Sequence, residues 1–124
     1  MQKKRILLAD DSRIALNLQA YILESAGFAC VKAENGFVAL EQLLRGCFDL
    51  VITDINMPRM DGYELTRKIR QTEGCADTPI IIISTLQAWP DRQKGMEAGA
   101  NVYVVKPAQP EVLITHVKML LCVE

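Results

Sequence analysis

Short apolar runs alternate along the chain with segments in which apolar residues recur at helical spacing. The runs are too short for helices and are typical of strands buried on both faces. They predict five strands, at residues 6–9, 29–33, 50–53, 79–83 and 102–105. The run that begins at Pro79 is the most apolar of the five.

A segment with helical spacing follows each predicted strand. Ser12 is suited to cap the first helix, in which Ile14, Leu18 and Ile22 share one face and which ends near Gly27. Further helices are predicted at 36–46, at 63–70, from the Trp-Pro pair at 89–90 to the AGAN segment, and after residue 107. In these the inward positions are predicted to be Phe37, Leu40, Leu43, Leu44, Leu65, Ile69, Leu113, Val117, Leu120 and Leu121.

This fivefold alternation of strand and helix predicts an α/β fold. Right-handed crossovers between parallel strands leave a single doubly wound (βα)5 sheet with helices on both faces. The 124 residues are enough for one domain with its own core, so we predict one domain over 1–124. The carboxyl ends of parallel strands meet at one edge of the sheet, where such folds bind ligands.

Polar residues with useful chemistry follow four of the predicted strands. Asp10 and Asp11 follow the first, Asp54 the third, Ser84 the fourth and Lys106 the fifth. Any one of them has an ordinary explanation as a turn or cap residue, or as a solvated lysine. Together, at matched depth, they indicate a functional site.

The charges at this edge favour a divalent cation. Three carboxylates and one ammonium leave a local charge of about −2, which a hard cation with oxygen ligands compensates. Mg²⁺ fits best, and the lack of His or Cys among these residues disfavours zinc and copper. A lysine and a hydroxyl beside such a cation suit a phosphoryl group, with one carboxylate free to act as the nucleophile.

Composition narrows the class of protein further. Half of the residues are hydrophobic and the net charge is −1, which provides no electrostatic footprint for nucleic acid. The four cysteines are widely spaced without a CxxC motif, and we expect mostly buried, reduced thiols of a cytoplasmic protein. The first apolar run is too short for a secretory signal, and no segment approaches a membrane span.

Four short motifs resemble the receiver domain of two-component response regulators. They are LLADDS, VITDINMPRMDGYEL, PIIIIST and GANVYVVKP, in this order, and the likeness runs from residue 4 to about 121. The resemblance implies the flavodoxin-like strand order 2-1-3-4-5. It also implies a regulatory phosphoacceptor that catalyses only its own phosphorylation and dephosphorylation.

The resemblance assigns roles to the three acidic residues and to Asn56. Asp54 would accept the phosphoryl group and contact Mg²⁺. Asp11 would bind Mg²⁺ directly, Asp10 through water or by orienting the site, and the backbone carbonyl of Asn56 would be a further ligand.

Other matched positions concern the switch. Lys106 would pair with phosphoryl oxygens and Ser84 would be the switch hydroxyl, while Tyr103 matches an aromatic that turns inward when the hydroxyl moves. Pro107 matches a proline that often follows a cis peptide bond. Gly62, with the Met-Pro pair at 57–58, matches the loop that shapes the turn of the nucleophile.

The implied partners are a sensor histidine kinase or histidine phosphotransfer protein, and an output domain or docking protein. Family members signal through the face made by the fourth helix, fifth strand and fifth helix, and a phosphorylation-linked dimer is a further expectation. The chain is either a stand-alone receiver or a segment of a larger regulator or hybrid kinase.

Two departures from the family pattern stand out. Thr85 follows the switch hydroxyl, where a small residue is usual, and the apolar Leu86 comes next, while Ala108 stands where Phe is frequent.

Two other functions compete with this interpretation. A phosphohydrolase of haloacid-dehalogenase type needs an acid two residues after the nucleophile, and Asn56 occupies that position. A docking module that is never phosphorylated would be favoured by loss of the acidic residues or Lys106, which are all present.

Overall fold

A five-stranded parallel sheet flanked by helices forms the computed structural model, which describes residues 2–123. In chain order its elements are β1 (Arg5–Ala9), α1 (Arg13–Ser25), β2 (Ala29–Ala33), α2 (Gly36–Arg45), β3 (Leu50–Thr53), α3 (Gly62–Arg70), β4 (Ile80–Ser84), α4 (Trp89–Ala98), β5 (Val102–Val105) and α5 (Pro110–Leu121). The strand order is β2-β1-β3-β4-β5, with parallel pairing. The predicted doubly wound sheet is confirmed. Met1 and Glu124, which the predicted domain includes, lie outside the described residues.

Two apolar cores lie on opposite faces of the sheet, because successive strand side chains point to opposite sides. Ile6 and Leu8 of β1 belong to the core beneath α1 and α5. Leu7 and Ala9 belong to the other core, beneath α2 and α3. The run at the start of the chain is therefore buried on both faces, as its unbroken apolar character predicted.

The apolar face of α1 that Ile14, Leu18 and Ile22 share is not the face that packs on the sheet, although Ile22 is half-buried. Ile14 is 82% exposed and Leu18 is 58% exposed, whereas the buried face consists of Leu16, Gln19, Ala20 and Leu23. This helix carries two apolar stripes, and spacing alone does not choose between them. The stripe with the small Ala20 packs on the sheet because it lets the helix backbone lie close to the strands.

The predicted inward face of α2 is wrong at two positions. Leu43 is buried, but Phe37 is 44% and Leu44 63% exposed, while Ala39 takes an inward position. The helix begins at Gly36, where a Cβ would collide with the carbonyl oxygen of Met60, so the start of α2 lies directly against the backbone at Met60.

The remaining inward positions are confirmed. Leu65 and Ile69 of α3 and Leu113 and Val117 of α5 are buried, and Leu40, Leu120 and Leu121 pack partly buried against the cores beneath their helices.

The cysteines are less buried than predicted. Cys47 and Cys122 are exposed because they lie just beyond the ends of α2 and α5, and Cys30 and Cys75 are half-buried. Burial raises the pKa of Cys30 to about 11, so this thiol is a poor nucleophile.

Aromatic side chains attach α4 to the rest of the fold. The Tyr63 hydroxyl donates to the Asp91 carbonyl oxygen at 3.1 Å, and the Lys94 ammonium lies 4.6 Å from the centroid of the Tyr63 ring. Gly95 lies over Tyr103, since a Cβ there would be 3.1 Å from the Tyr103 ring. The seating of α4 therefore depends on two tyrosines that are both buried.

The phenol of Tyr63 should make stability depend on alkaline pH. Burial raises the pKa of Tyr63 from 10.0 to about 12. The unfolded chain then loses this proton first, so the free energy of unfolding should fall between about pH 10 and about pH 12, by on the order of 2 kcal/mol. We expect Tyr63→Phe to reduce this decline in urea unfolding experiments. Tyr21→Phe, at an exposed position, is the control, and an undiminished decline in Tyr63→Phe would contradict the assignment.

Candidate functional site

Three carboxylates meet at the carboxyl edge of the sheet. Asp10 and Asp11 follow β1 and Asp54 follows the neighbouring β3, whose Thr53 pairs with Ala9. The Asp54 amide donates to the Ala9 carbonyl oxygen at 2.8 Å, which places the two strand ends side by side. One carboxylate oxygen from each aspartate lies within 4.8 Å of the others.

Hydrogen bonds fix the buried Asp10 and the partly exposed Asp54. Asp10 is 1% exposed, and its Oδ1 accepts from the Ser12 amide at 2.9 Å. Oδ1 of Asp54 accepts from the Ile55 amide at 2.7 Å. Asp11 is exposed, so the cluster runs from a buried, fixed carboxylate to one that faces solvent.

Lys106 bridges two of the aspartates. Its Nζ donates to Oδ2 of Asp10 at 2.6 Å and to Oδ2 of Asp54 at 3.1 Å. Burial lowers the pKa of Lys106, but the hydrogen bond to Asp10 and the charge of Asp54 outweigh it and leave the pKa above its usual value of 10.5. The lysine is therefore a fixed cation at the edge of the cluster.

The hydroxyls of Ser84 and Tyr103 both reach the backbone of Leu86. Ser84 is fully buried, and its Oγ accepts from the Leu86 amide at 3.2 Å. Tyr103 is 8% exposed, and its hydroxyl donates to the Leu86 carbonyl oxygen at 2.6 Å. Burial raises the pKa of Tyr103, which keeps the phenol a donor. No sequence pattern indicates this shared contact, because it runs through backbone atoms.

The loop after Asp54 is held close to the cluster. Asn56 is exposed in this loop, and the Gly62 amide donates to the Ile55 carbonyl oxygen at 2.9 Å. A Cβ at Gly62 would collide with the Asp54 carbonyl oxygen. The peptide bond between Lys106 and Pro107 is cis, as the resemblance implied.

The cluster has the donor chemistry of a site for a hard divalent cation. Its ligand atoms are carboxylate oxygens, they converge within 4.8 Å, and Asp11 leaves an approach from solvent. Mg²⁺ prefers such oxygens and retains several water ligands. Asp10, Asp11 and Asp54 therefore fit Mg²⁺.

A doubly wound sheet with clustered aspartates and a lysine at its carboxyl edge defines a class of phosphoryl-accepting signalling domains. The chain matches the family model of the response regulator receiver domain over residues 6–118. It belongs to this family and is a receiver domain of the two-component type. The predicted family is confirmed.

Curated relatives carry the same domain within longer chains. Transcriptional regulatory protein ResD of Bacillus subtilis is 37% identical over 120 residues, which cover 97% of this chain and 48% of ResD. Sensor protein EvgS of Escherichia coli is 38% identical over 122 residues, covering 96% of this chain and 10% of EvgS. The chain thus spans about half or less of the length of these relatives.

Solved structures of other proteins are similar to this fold along almost the whole chain. Chemotaxis protein CheY4 of Vibrio cholerae has a TM-score of 0.91 at 30% identity, covering 96% of this chain and 99% of that one. The receiver domain of sensor histidine kinase PA1611 of Pseudomonas aeruginosa has a TM-score of 0.91 at 27% identity, covering 98% and 99%. That structure has a magnesium ion coordinated in its active site cleft.

Within residues 2–123, none of the helices is both long enough and apolar enough to cross a membrane.

Proposed function

We propose that Asp54 accepts a phosphoryl group from the phosphohistidine of a sensor histidine kinase or a histidine phosphotransfer protein, in a Mg²⁺-dependent step. The observation that carries this proposal is the convergence of Asp10, Asp11 and Asp54 beside the ammonium of Lys106. Asp54 is the member that contacts Lys106 while its side chain remains 14% exposed, so a donor can reach it. Asp10 contacts the same lysine but is buried.

The chain's own residues orient the nucleophile. The Ile55 amide holds Oδ1 of Asp54, and Lys106 holds Oδ2. A carboxylate oxygen attacks phosphorus, the bond from phosphorus to the donor nitrogen breaks, and that nitrogen keeps the electron pair and takes up a proton. The product is an acyl phosphate on Asp54. Lys106 then lies where it can neutralise phosphoryl oxygens.

The metal ligands we propose are the side chains of Asp11 and Asp54, with Asp10 acting through water or by orientation and the Asn56 carbonyl completing the set. A bound Mg²⁺ would compensate the negative charge of the carboxylates and of the incoming phosphoryl group. The arrangement supports this set because the exposed Asp11 and the partly exposed Asp54 face solvent, whereas Asp10 is committed to Ser12 and Lys106.

The same site supports a proposed route from phosphorylation to a partner. A phosphoryl group that accepts a hydrogen bond from the Ser84 hydroxyl would draw this hydroxyl away from the Leu86 amide that donates to it, and the Leu86 carbonyl oxygen also accepts from Tyr103. Movement of this segment would reach α4, which packs over Tyr103. We propose that the face of α4, β5 and α5 then controls an output domain, a docking protein or a second copy in the cytoplasm.

Labelling with a small phosphodonor tests the proposal directly. The chain is incubated with acetyl phosphate and Mg²⁺, and its intact mass should increase by one phosphoryl group. The increase should be lost with excess chelator and should decay over time as the acyl phosphate hydrolyses. Unchanged mass with several donors would refute the proposal, and steady turnover of phosphate esters would indicate a phosphohydrolase instead.

Removing the exposed carboxylate should separate metal binding from folding. We expect Asp11→Ala to weaken Mg²⁺ binding by at least about tenfold, since losing even outer-shell partners of metals costs about 10–100-fold in affinity. The fold should survive because Asp11 is exposed and its loss relieves repulsion from Asp10. Calorimetric titration with Mg²⁺ and far-UV circular dichroism measure the two effects. Glu41→Gln, on the exposed side of α2, is the control, and undiminished affinity in Asp11→Ala would exclude Asp11 as a ligand.

A further inference from the structure

Three large apolar side chains on the outer face of α1 are exposed to solvent. Tyr21 is 71% exposed, and Ile14 and Leu18 are exposed as well. Leu18 stands four residues after Ile14 and three before Tyr21, so the three lie on one stripe of the helix. The half-buried Ile22 borders this stripe. Contiguous exposed apolar surface marks an interaction site more often than apolar residues scattered singly do.

Opposite charges stand at the two ends of this helix. Arg13 is the first residue of α1, and Glu24 is the residue before its last. From 13 to 24 the helix advances by eleven residues, which is close to three turns, so the two side chains leave the same flank of the helix. Both side chains are exposed. The flank beside the apolar stripe therefore has a positive end and a negative end.

Both charges are free to pair with another molecule. Nη2 of Arg13 lies 3.2 Å from Oε1 of Glu34, but the two side chains are 77% and 58% exposed, and such surface pairs contribute little to stability. The guanidinium also has further N–H donors. Within residues 2–123, Glu24 forms no ion pair.

We propose that α1 binds α1 of a second copy of this chain in an antiparallel arrangement. A two-fold axis beside Leu18 brings the two Leu18 side chains together and places each Ile14 near Tyr21 of the second copy. The same axis places Arg13 of each copy near Glu24 of the other, because these residues lie five positions before and six after Leu18. A parallel arrangement would bring like charges together. Since a two-fold interface joins one surface to its own counterpart, the opposite charges on this flank favour a second copy as the partner.

Sedimentation equilibrium of the full chain tests the proposal, without a phosphodonor and with a reductant that keeps the exposed Cys47 and Cys122 from forming disulfides. The interface is small, so we expect a reversible dimer at concentrations between about 10 µM and 1 mM. Leu18→Asp should weaken association at least about tenfold, because it places carboxylates at the apolar centre of the interface. Trp89→Ser removes an exposed apolar side chain from α4 and should associate as the parent chain does. A parent chain that stays monomeric, or association that is lost in Trp89→Ser and kept in Leu18→Asp, would overturn the proposal.

Charge reversals identify the partner and its orientation. Arg13→Glu and Glu24→Arg should each weaken association about tenfold at low salt, since each replaces two attractive pairs by two repulsive ones. Each new charge suits the macrodipole at its end of α1, so the helix itself should stay intact. An equimolar mixture of the two variants should associate as the parent chain does, because the mixed dimer restores both pairs. Single variants that associate like the parent chain, or a mixture as weak as its components, would exclude antiparallel pairing of two copies.

Discussion

Replacing Asp54 by Asn is expected to abolish Mg²⁺-dependent labelling by acetyl phosphate. The carboxamide is not a nucleophile towards phosphorus, and it removes one of the carboxylate oxygens that converge within 4.8 Å. Lys106 retains its 2.6 Å contact with Asp10, so the neighbouring structure should persist. The variant should be at least as stable as the parent chain, because the cluster loses a negative charge and its repulsion decreases. A stable protein that is not labelled is the expected result.

Intact mass after incubation with the donor measures the labelling of Asp54→Asn, and urea unfolding measures its stability. Asp77→Asn is the matched control, since it makes the same chemical change at an exposed aspartate outside the cluster and should be labelled normally. Labelling of Asp54→Asn at the parental level would refute Asp54 as the acceptor. Peptide mapping of any remaining label would then show whether Asp10 or Asp11 carries it.

Gly62→Ala is expected to cause the largest loss of stability among these variants, about 3 kcal/mol or more. The added Cβ would collide with the Asp54 carbonyl oxygen and lie 2.9 Å from the Cα of Ile55. Both neighbours are backbone atoms, and the 2.9 Å hydrogen bond from the Gly62 amide to Ile55 holds them in place. The loop must therefore move to accept the methyl group. That movement displaces Asp54, so labelling of the folded fraction should also decrease.

Gly46→Ala provides the control for Gly62→Ala. Its nearest neighbour would be Nη1 of Arg5 at 3.3 Å, the mobile end of a long side chain, and its φ of −141° is accessible to alanine. We expect little change in the urea midpoint of Gly46→Ala and a large decrease for Gly62→Ala. Similar midpoints for the two variants would show that the loop at Asp54 yields more easily than its packing indicates.

The strands were predictable from sequence because each strand of the sheet's interior is buried on both faces, whereas their order followed from the resemblance to receiver domains. The run IIII at 80–83 places alternate side chains in the two cores, so all four positions of this strand are apolar. The topology rule for parallel strands then brought Asp10, Asp54 and Lys106 to one edge, where the structure places them.

Helix faces were less predictable because a helix with several apolar stripes has several possible rotations. On α1 the apolar residues at 14 and 18 and those at 16 and 23 fit helical spacing equally well, and packing against the sheet decided between them. On α2 the Phe37 ring stays partly exposed, and the Arg59 guanidinium stacks over it at 4.4 Å from the ring centroid. This contact depends on a loop that follows another strand, so no pattern within α2 reveals it.

Contacts made through the backbone were not predictable either. Leu86 stands out in the sequence only as an unusual apolar neighbour of the switch hydroxyl. Its amide and carbonyl oxygen nevertheless join Ser84 to Tyr103.

The position of each strand in the sheet also gives the site an uneven local stability. Asp10 and Asp54 follow β1 and β3, which have a neighbouring strand on each side. Tyr103 lies in β5 and Lys106 follows it, and this edge strand has a neighbouring strand on one side. Amides of interior strands generally exchange with solvent only on global unfolding, while edge elements also open locally. The acidic half of the site should therefore keep its geometry for as long as the domain stays folded. We expect amides of β5, next to the lysine and the tyrosine, to exchange faster than those of β1 and β3.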